Sequence, residues 1–239
     1  MTTRLYRDDP YLRTAPAQVV GRTDGGGIVT DAALFYPKGG GQPGDSGRLT
    51  WDGGACDIVS TEAAPDGAVA MIPADPSAAP PVGTQVEMAL DWARRHRFMR
   101  MHTALHLLSV AVPLPVTGGQ IGAEKSRLDF LMPEVTYDRA GIEARLAELI
   151  AGDHPVTDDW IDEAELDANP GLVKTMSVQP PRGAGWIRLV RIGDGAAPVD
   201  LQPCGGTHVR RTSEIGTVRV GKIENKGKSN RRVSITLDD

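Results

Sequence analysis

The chain is poor in residues that cross-link or catalyse on their own. It has two cysteines in 239 residues, too few for the disulfide framework of a small secreted scaffold. Aromatic residues make up 5%, with only three phenylalanines, so aliphatic side chains must carry the core. No apolar run reaches the roughly 20 residues that a membrane span needs, and no basic-then-apolar stretch precedes a cleavage site. The expected setting is cytoplasmic and reducing, with no membrane partner and no obligate protein partner evident. There a thiol is free to serve as a ligand. No G-x-G-x-x-G opens a helix, which excludes the dinucleotide-binding fingerprint.

The net charge of −5 gives no global reason to expect nucleic acid. Local charge does. Between Val209 and Arg232 the cations Arg210, Arg211, Arg219, Lys222, Lys226, Lys228, Arg231 and Arg232 face only Glu214 and Glu224. A basic patch on an acidic chain is either a phosphate-facing surface or a plain solvated one.

The first 90 residues read as strand-rich. Short apolar or β-branched runs recur at Gln18–Val20, 27–30, Ala33–Tyr36, Gly47–Trp51, 57–60, 68–72 and Gln85–Leu90. Gly, Pro and Asp punctuate them, as in a small barrel or sandwich. Within this part, Gly39, Gly40, Gly41 and Gln42 form a glycine-rich stretch. Its backbone N–H groups either cradle a phosphate or nucleotide end or simply turn a hairpin.

One helix is expected from Trp92 to Ala111, stopped by Pro113 and Pro115, with Phe98, Met101, Leu105 and Leu108 as an inward stripe. Thr117 to Gly122 reads as a turn-rich loop and 125–130 as a strand. Asp138 should cap a helix running to Ile150, with Ile142, Leu146, Leu149 and Ile150 on its apolar side. Strands are expected at 155–161 and Trp186–Ile192, a short helix at 163–166, and a terminal hairpin with a basic turn at 224–230.

Only five histidines are present, and His102 and His106 are four apart on the expected helix, sharing one face. Cys204 and His208, also four apart, lie roughly a hundred residues later, with Gly205 and Gly206 between them. Together they offer the nitrogen and sulfur donors of a tetrahedral zinc site. This is not the metalloprotease H-E-x-x-H, because Thr103 follows the first histidine. Zinc with four protein donors is usually structural, whereas a catalytic ion keeps one position open; spacing alone leaves both open.

The H-x-x-x-H helix and the C-G-G-T-H loop resemble the editing domain of alanyl-tRNA synthetase and its free-standing AlaX relatives; the threonyl-tRNA synthetase editing domain is more distant. The resemblance extends over 35–37 with 39–42 and 45–47, over 91–103, over 119–121 and 127–130, and over 204–209, 224–228 and 231–232. It implies an α+β chain: a small N-terminal β-barrel over residues 1–90, then an α/β editing domain with a zinc site over 91–239. It implies hydrolysis of serine, or glycine, wrongly esterified to tRNA(Ala). With no synthetase core expected in this length, the chain would act in trans. By resemblance Gln120 and Thr103 belong to the reacting pocket. His102, His106, Cys204 and His208 would bind Zn2+. Gly39, Gly40, Gly41 and Gln42, with Lys226, Lys228, Arg231 and Arg232, would meet the charged tRNA. One departure is Leu105, where the synthetase motif often has threonine before the second histidine. Two rival readings are a zinc-stabilised RNA-binding module without catalysis and a metal-dependent esterase acting on small molecules.

Overall fold

The structure is a computed structural model that describes residues 2–176, 183 and 185–238. It is a mixed α+β chain of two compact units, Met1–Arg97 and Phe98–Asp239. The sequence division after residue 90 falls at the end of a strand, seven residues before the break between the units.

The first unit holds a short helix α1 (Leu5–Asp8) and six strands: β1 (Thr14–Arg22), β2 (Ile28–Thr30), β3 (Gly47–Trp51), β4 (Gly54–Ala63), β5 (Val69–Pro73) and β6 (Gln85–Leu90). They close an antiparallel barrel in the order β1-β2-β5-β4-β3-β6. Closure leaves no free sheet edge. Alternate residues point inward, so Ala15, Ala17 and Val19 of β1 meet Leu49, Val86 and Met88 in the barrel core.

The run Ala33–Tyr36, expected as a strand, is not one. All four residues are buried, whereas a half-buried strand would alternate. Their backbone groups are shared between loop backbone and side chains instead: Ala33 pairs with Thr3 and Tyr6, and the Asp45 N–H donates to the Tyr36 carbonyl. Arg95 donates to the Leu34 carbonyl and Asp45 accepts from the Tyr36 N–H. Arg95 is 0% exposed, and it donates through Nε and Nη2 to Asp45 and through Nη1 to the Pro10 carbonyl. A buried guanidinium is tolerable only with this degree of pairing.

The glycine stretch is a tight hairpin turn. Gly39 and Gln42 exchange backbone hydrogen bonds, and Gly40 and Gly41 take φ of +55° and +82°. Two consecutive positive φ values define the turn that matches strand twist, and glycine adopts them without steric cost.

The helix α2 (Trp92–Ala111) has the expected bounds. The inward stripe understates its burial: Met99, Ala104 and Leu107 are as buried as Phe98, Met101 and Leu108. A helix this apolar over its second half belongs inside a core on all sides. Beyond it come β7 (Val116–Gln120), β8 (Ser126–Leu131), α3 (Arg139–Ala151), β9 (Val156–Asp162), α4 (Glu163–Ala168), β10 (Trp186–Ile192), β11 (Asp200–Pro203), β12 (Val218–Val220), β13 (Glu224–Asn225) and β14 (Asn230–Leu237). They form one sheet ordered β11-β10-β9 and another ordered β12-β14-β8-β7, with β13 also on β14.

Asp138 caps α3 by accepting from the Gly141 N–H, and Ile142, Leu146, Leu149 and Ile150 are its buried residues. The turn-rich reading of Thr117 to Gly122 is corrected. Strand β7 runs through Gly118 and Gly119 because it pairs with β8, and tertiary pairing overrides the weak strand propensity of glycine. No helix among the described residues is long and apolar enough to cross a membrane.

Candidate metal centre

Helix geometry sets the first half of the site. His102 and His106, one turn apart on α2, have ring centroids 5.4 Å apart. Strand β11 supplies the second half. The Cys204 N–H donates to the Arg188 carbonyl at 3.2 Å, carrying the β10–β11 ladder one residue past the strand. The chain then turns through Gly205 and Gly206 and returns with His208, whose ring lies 4.3 Å from that of His102 and 4.7 Å from that of His106.

The donor atoms of His102, His106, Cys204 and His208 all lie within 4.8 Å of one another and could hold a metal ion. The Cys204 Sγ is 3.4 Å from His102 Nε2 and 3.3 Å from His208 Nε2. Around a tetrahedral zinc with bonds of about 2.3 Å to sulfur and about 2.0–2.1 Å to nitrogen, such donors stand roughly 3.5 Å apart. Three nitrogens and one sulfur at these separations fit that ion. The three histidines are 5–6% exposed, and Cys204 is half-buried.

The outer bonds fix which nitrogen each ring turns inward. Asp200 Oδ2 lies 2.9 Å from His106 Nδ1. A carboxylate accepts there, so Nδ1 carries the proton and Nε2 faces the cluster. Asp200 is held in turn by Lys174 and by Gln202, whose Nε2 donates at 2.7 Å. Thr103, 0% exposed, does the same for His208. Its hydroxyl donates to the Met99 carbonyl, leaving Oγ1 to accept from the Val209 N–H at 3.3 Å and from His208 Nδ1 at 3.2 Å. Arg188 Nη1 donates to the carbonyls of Cys204 and Gly206, at 2.8 and 3.0 Å, and its other nitrogens grip Asp158.

The protonation states follow from these contacts. Burial raises the Cys204 pKa, but the charges of His102 and His208 outweigh it and hold the thiol well below its usual range. Burial opposes charge on His106, yet the bond to Asp200 and the neighbouring thiolate raise it to about 9. His208 falls to about 3, first through burial and then through the charge of His102. Asp200, despite burial, is lowered to about 2 by His106 and Lys174.

The other expected site residues fall into separate places. Gln120 is exposed at the end of β7, and its Oε1 accepts from Arg127 at 3.2 Å. Arg127 also grips Asp129, which takes two bonds from Arg232 at 2.7 and 2.9 Å. Gln120 and the basic hairpin are thus joined through one polar network on the β7–β8–β14 sheet. Arg231 donates to the carbonyls of Gly227, Asn230 and Pro133. The lysines are the outward cations: Lys228 is exposed, and Lys226 is exposed with Glu224 3.3 Å away. Gly39 and Gly41 flank the exposed tip at Gly40, and Gln42 is 1% exposed. Leu105 is buried.

Sequence reasoning missed Asp200, Gln202, Lys174 and Arg188. The signal for two of them was strand alternation: Asp200, Gln202 and Cys204 are spaced by two and so share a face.

Residues 187–234, which include Cys204 and His208, match the family model described as the threonyl and alanyl tRNA synthetase second additional domain. The C-terminal part of the second unit is thus similar to a synthetase accessory domain, and it supplies two of the four donors of the metal-competent cluster. The chain is 35% identical over its full length to the alanyl-tRNA editing protein AlaX-M of Methanosarcina acetivorans, and 34% identical to that of Methanosarcina mazei over 100% of this chain and 98% of the relative. It is also 36% identical, over 93% of its length, to the alanine–tRNA ligase of Pyrobaculum arsenaticum, of which it spans 25%. The chain belongs to the AlaX-M family of alanyl-tRNA editing proteins.

Proposed function

We propose that this protein is a trans-acting deacylase that hydrolyses serine from mischarged tRNA(Ala), with a zinc ion held by His102, His106, Cys204 and His208. The observation that carries the reading is the four-donor cluster with its outer bonds, in a chain related over its whole length to alanyl-tRNA editing proteins. Likeness over the whole length of AlaX-M editing proteins supports action in trans, and the thiolate donor suits a cytoplasmic, reducing setting.

A pocket built for alanine cannot strongly reject an isostere that adds one hydroxyl; discrimination of about a hundredfold is typical. A second site that hydrogen-bonds the serine hydroxyl can sort the two, because alanine would leave its polar groups unpaired. Zinc, when bound, supplies positive charge that polarises an ester carbonyl or acidifies water. The chain's own residues prepare that place. Asp200 and Thr103 hold the Nδ1 protons of His106 and His208, and Arg188 fixes the Cys204–Gly206 loop. Thr103 is therefore assigned a positioning role. Gln120, on the exposed end of β7, is the group assigned to the substrate's polar atoms. Lys226 and Lys228 are assigned to phosphates near the acceptor end, which makes binding salt-sensitive.

One observation favours a second reading. Four protein donors fill a tetrahedron, as in a structural ion, so a non-catalytic RNA-binding module stabilised by zinc is the rival. Zinc-loaded protein offered Ser-tRNA(Ala), Ala-tRNA(Ala) and serine ethyl ester separates these. The expected result is serine release from Ser-tRNA(Ala) far above background and above alanine release. Release at the background rate with tRNA still bound would favour the module. Preference for the ethyl ester would favour a small-molecule esterase.

A further inference from the structure

The three-stranded sheet that ends at Cys204 carries two exposed tryptophans that the zinc chemistry leaves unused. Trp160 is 51% exposed and Trp186 is 61% exposed, and large aromatics left in water mark a binding surface. Register places them. Trp160 pairs with Arg188, and Pro203 pairs with Leu189, so Cys204 comes opposite Arg188. Directly opposed residues of an antiparallel sheet share a face. Trp160, Arg188 and Cys204 thus form one row across β9, β10 and the end of β11. With strands about 4.8 Å apart, the Trp160 backbone stands roughly 10 Å from that of Cys204. Trp186 pairs with Asp162 and lies diagonally beside Trp160 on the same face. Farther along that face Val190 and Gln202 are buried, and Gln202 reaches Ser109 of α2. The face is therefore covered behind the cluster and open in front of it.

We propose that Trp160 and Trp186 form a stacking platform for the terminal nucleobase of the substrate. This rests on the deacylase reading. The ester under attack sits on the terminal ribose, one sugar ring from its base. With the ester carbonyl at the cluster, the base falls onto the adjoining row. The platform's charges suit a base rather than a phosphate. Arg188 is committed to Asp158 and to two loop carbonyls, and Asp162 caps α4. Among the described residues of β9 and β10, the face that carries the indoles presents no cation but Arg188, whereas the Asp162 carboxylate beside Trp186 can accept from an exocyclic amine. A planar, uncharged ring is the partner that stacks on indole without sequence preference.

The test uses zinc-loaded full-length protein and two probes: 3′-deoxy-3′-serylamido-adenosine, whose amide resists hydrolysis, and the same serylamido sugar without a base. Affinity is read by calorimetry. Wild type should bind the adenosine probe more tightly than the abasic one. W160A and W186A should each weaken the adenosine probe by about 5- to 150-fold, and W160F and W186F should recover most of it. The abasic probe should bind all variants alike. Unchanged affinity of both alanine variants for the adenosine probe overturns the proposal, as does an equal loss for both probes. Sedimentation covers the rival occupant: wild-type dimers that the alanine variants dissociate, with probe binding unchanged, would assign the tryptophans to a second copy. If wild type releases no serine from Ser-tRNA(Ala), the deacylase reading fails, but the difference between the probes still reports on the platform.

Discussion

Asp200→Asn is the sharpest perturbation of the metal centre, because it changes one charge and almost no volume. Asp200 takes three donors: His106 Nδ1 at 2.9 Å, Gln202 Nε2 at 2.7 Å and the Lys174 ammonium. An asparagine has one oxygen for them. With its amide toward Lys174, two donors confront each other at a side chain almost without exposure. With its amide toward His106, the ring must accept at Nδ1 and move its proton to Nε2, where it blocks the metal. Loss of such an outer partner typically costs about 10–100-fold in metal affinity, or about 1.4–2.7 kcal/mol. The assay is zinc competition against a chromophoric chelator at pH 7.5, with circular dichroism as the check on folding. A folded D200N protein that holds zinc as tightly as wild type would refute the claim that Asp200 sets the His106 tautomer.

Thr103→Val leaves the His208 Nδ1–H and the Val209 N–H without their acceptor. At about 1–3 kcal/mol per buried orphan, thermal unfolding should show a clear drop in Tm, with Thr103→Ser close to wild type. The His106 pKa is raised from 6.5 to about 9, so its contribution to metal-free stability is full below pH 6.5 and is lost as pH rises through about 9. Zinc affinity should move oppositely and climb across that window as the competing proton leaves; parallel denaturation and chelator titrations check both signs. In the barrel unit, a Cβ at Gly44 would stand 2.0 Å from the Thr61 carbonyl oxygen, whereas one at Gly40 meets nothing within 4 Å. Gly44→Ala should fail to fold, and Gly40→Ala should lose only the roughly 1–2 kcal/mol of a left-handed residue, as denaturant midpoints would report.

The sequence was legible where one local pattern decides the structure. The α2 bounds followed from an apolar period ended by two prolines, and the α3 start from the Asp138 cap. Strand β6 stood out as an alternating apolar run and β10 as a β-branched one, each beside turn residues. It was opaque where partners are remote. Nothing local to Ala33–Tyr36 announces that its backbone is claimed by Arg95, 61 residues beyond Leu34. Nothing in Thr117–Gln120 reveals that β8 will pair with it. At the metal centre the four donors could be read from residue type and spacing. Their supports could not, because an aspartate, a lysine and an arginine in ordinary strands and loops look like surface residues until folding brings Asp200 onto His106, Lys174 onto Asp200 and Arg188 onto the Cys204–Gly206 loop.

Strand β10 has Ile187 and Leu189 in a core on one side and Trp186 and Arg188 toward the site on the other. That alternation governs how the chain can change in length. A single inserted or deleted residue within β10 would exchange the two sides. Arg188 would be driven into the apolar cluster, and the Cys204–Gly206 loop would lose its clamp. Viable length variation is therefore confined to the loops flanking β10 or comes in steps of two within it. An insertion scan across 184–200 should show that parity in the amount of soluble protein recovered.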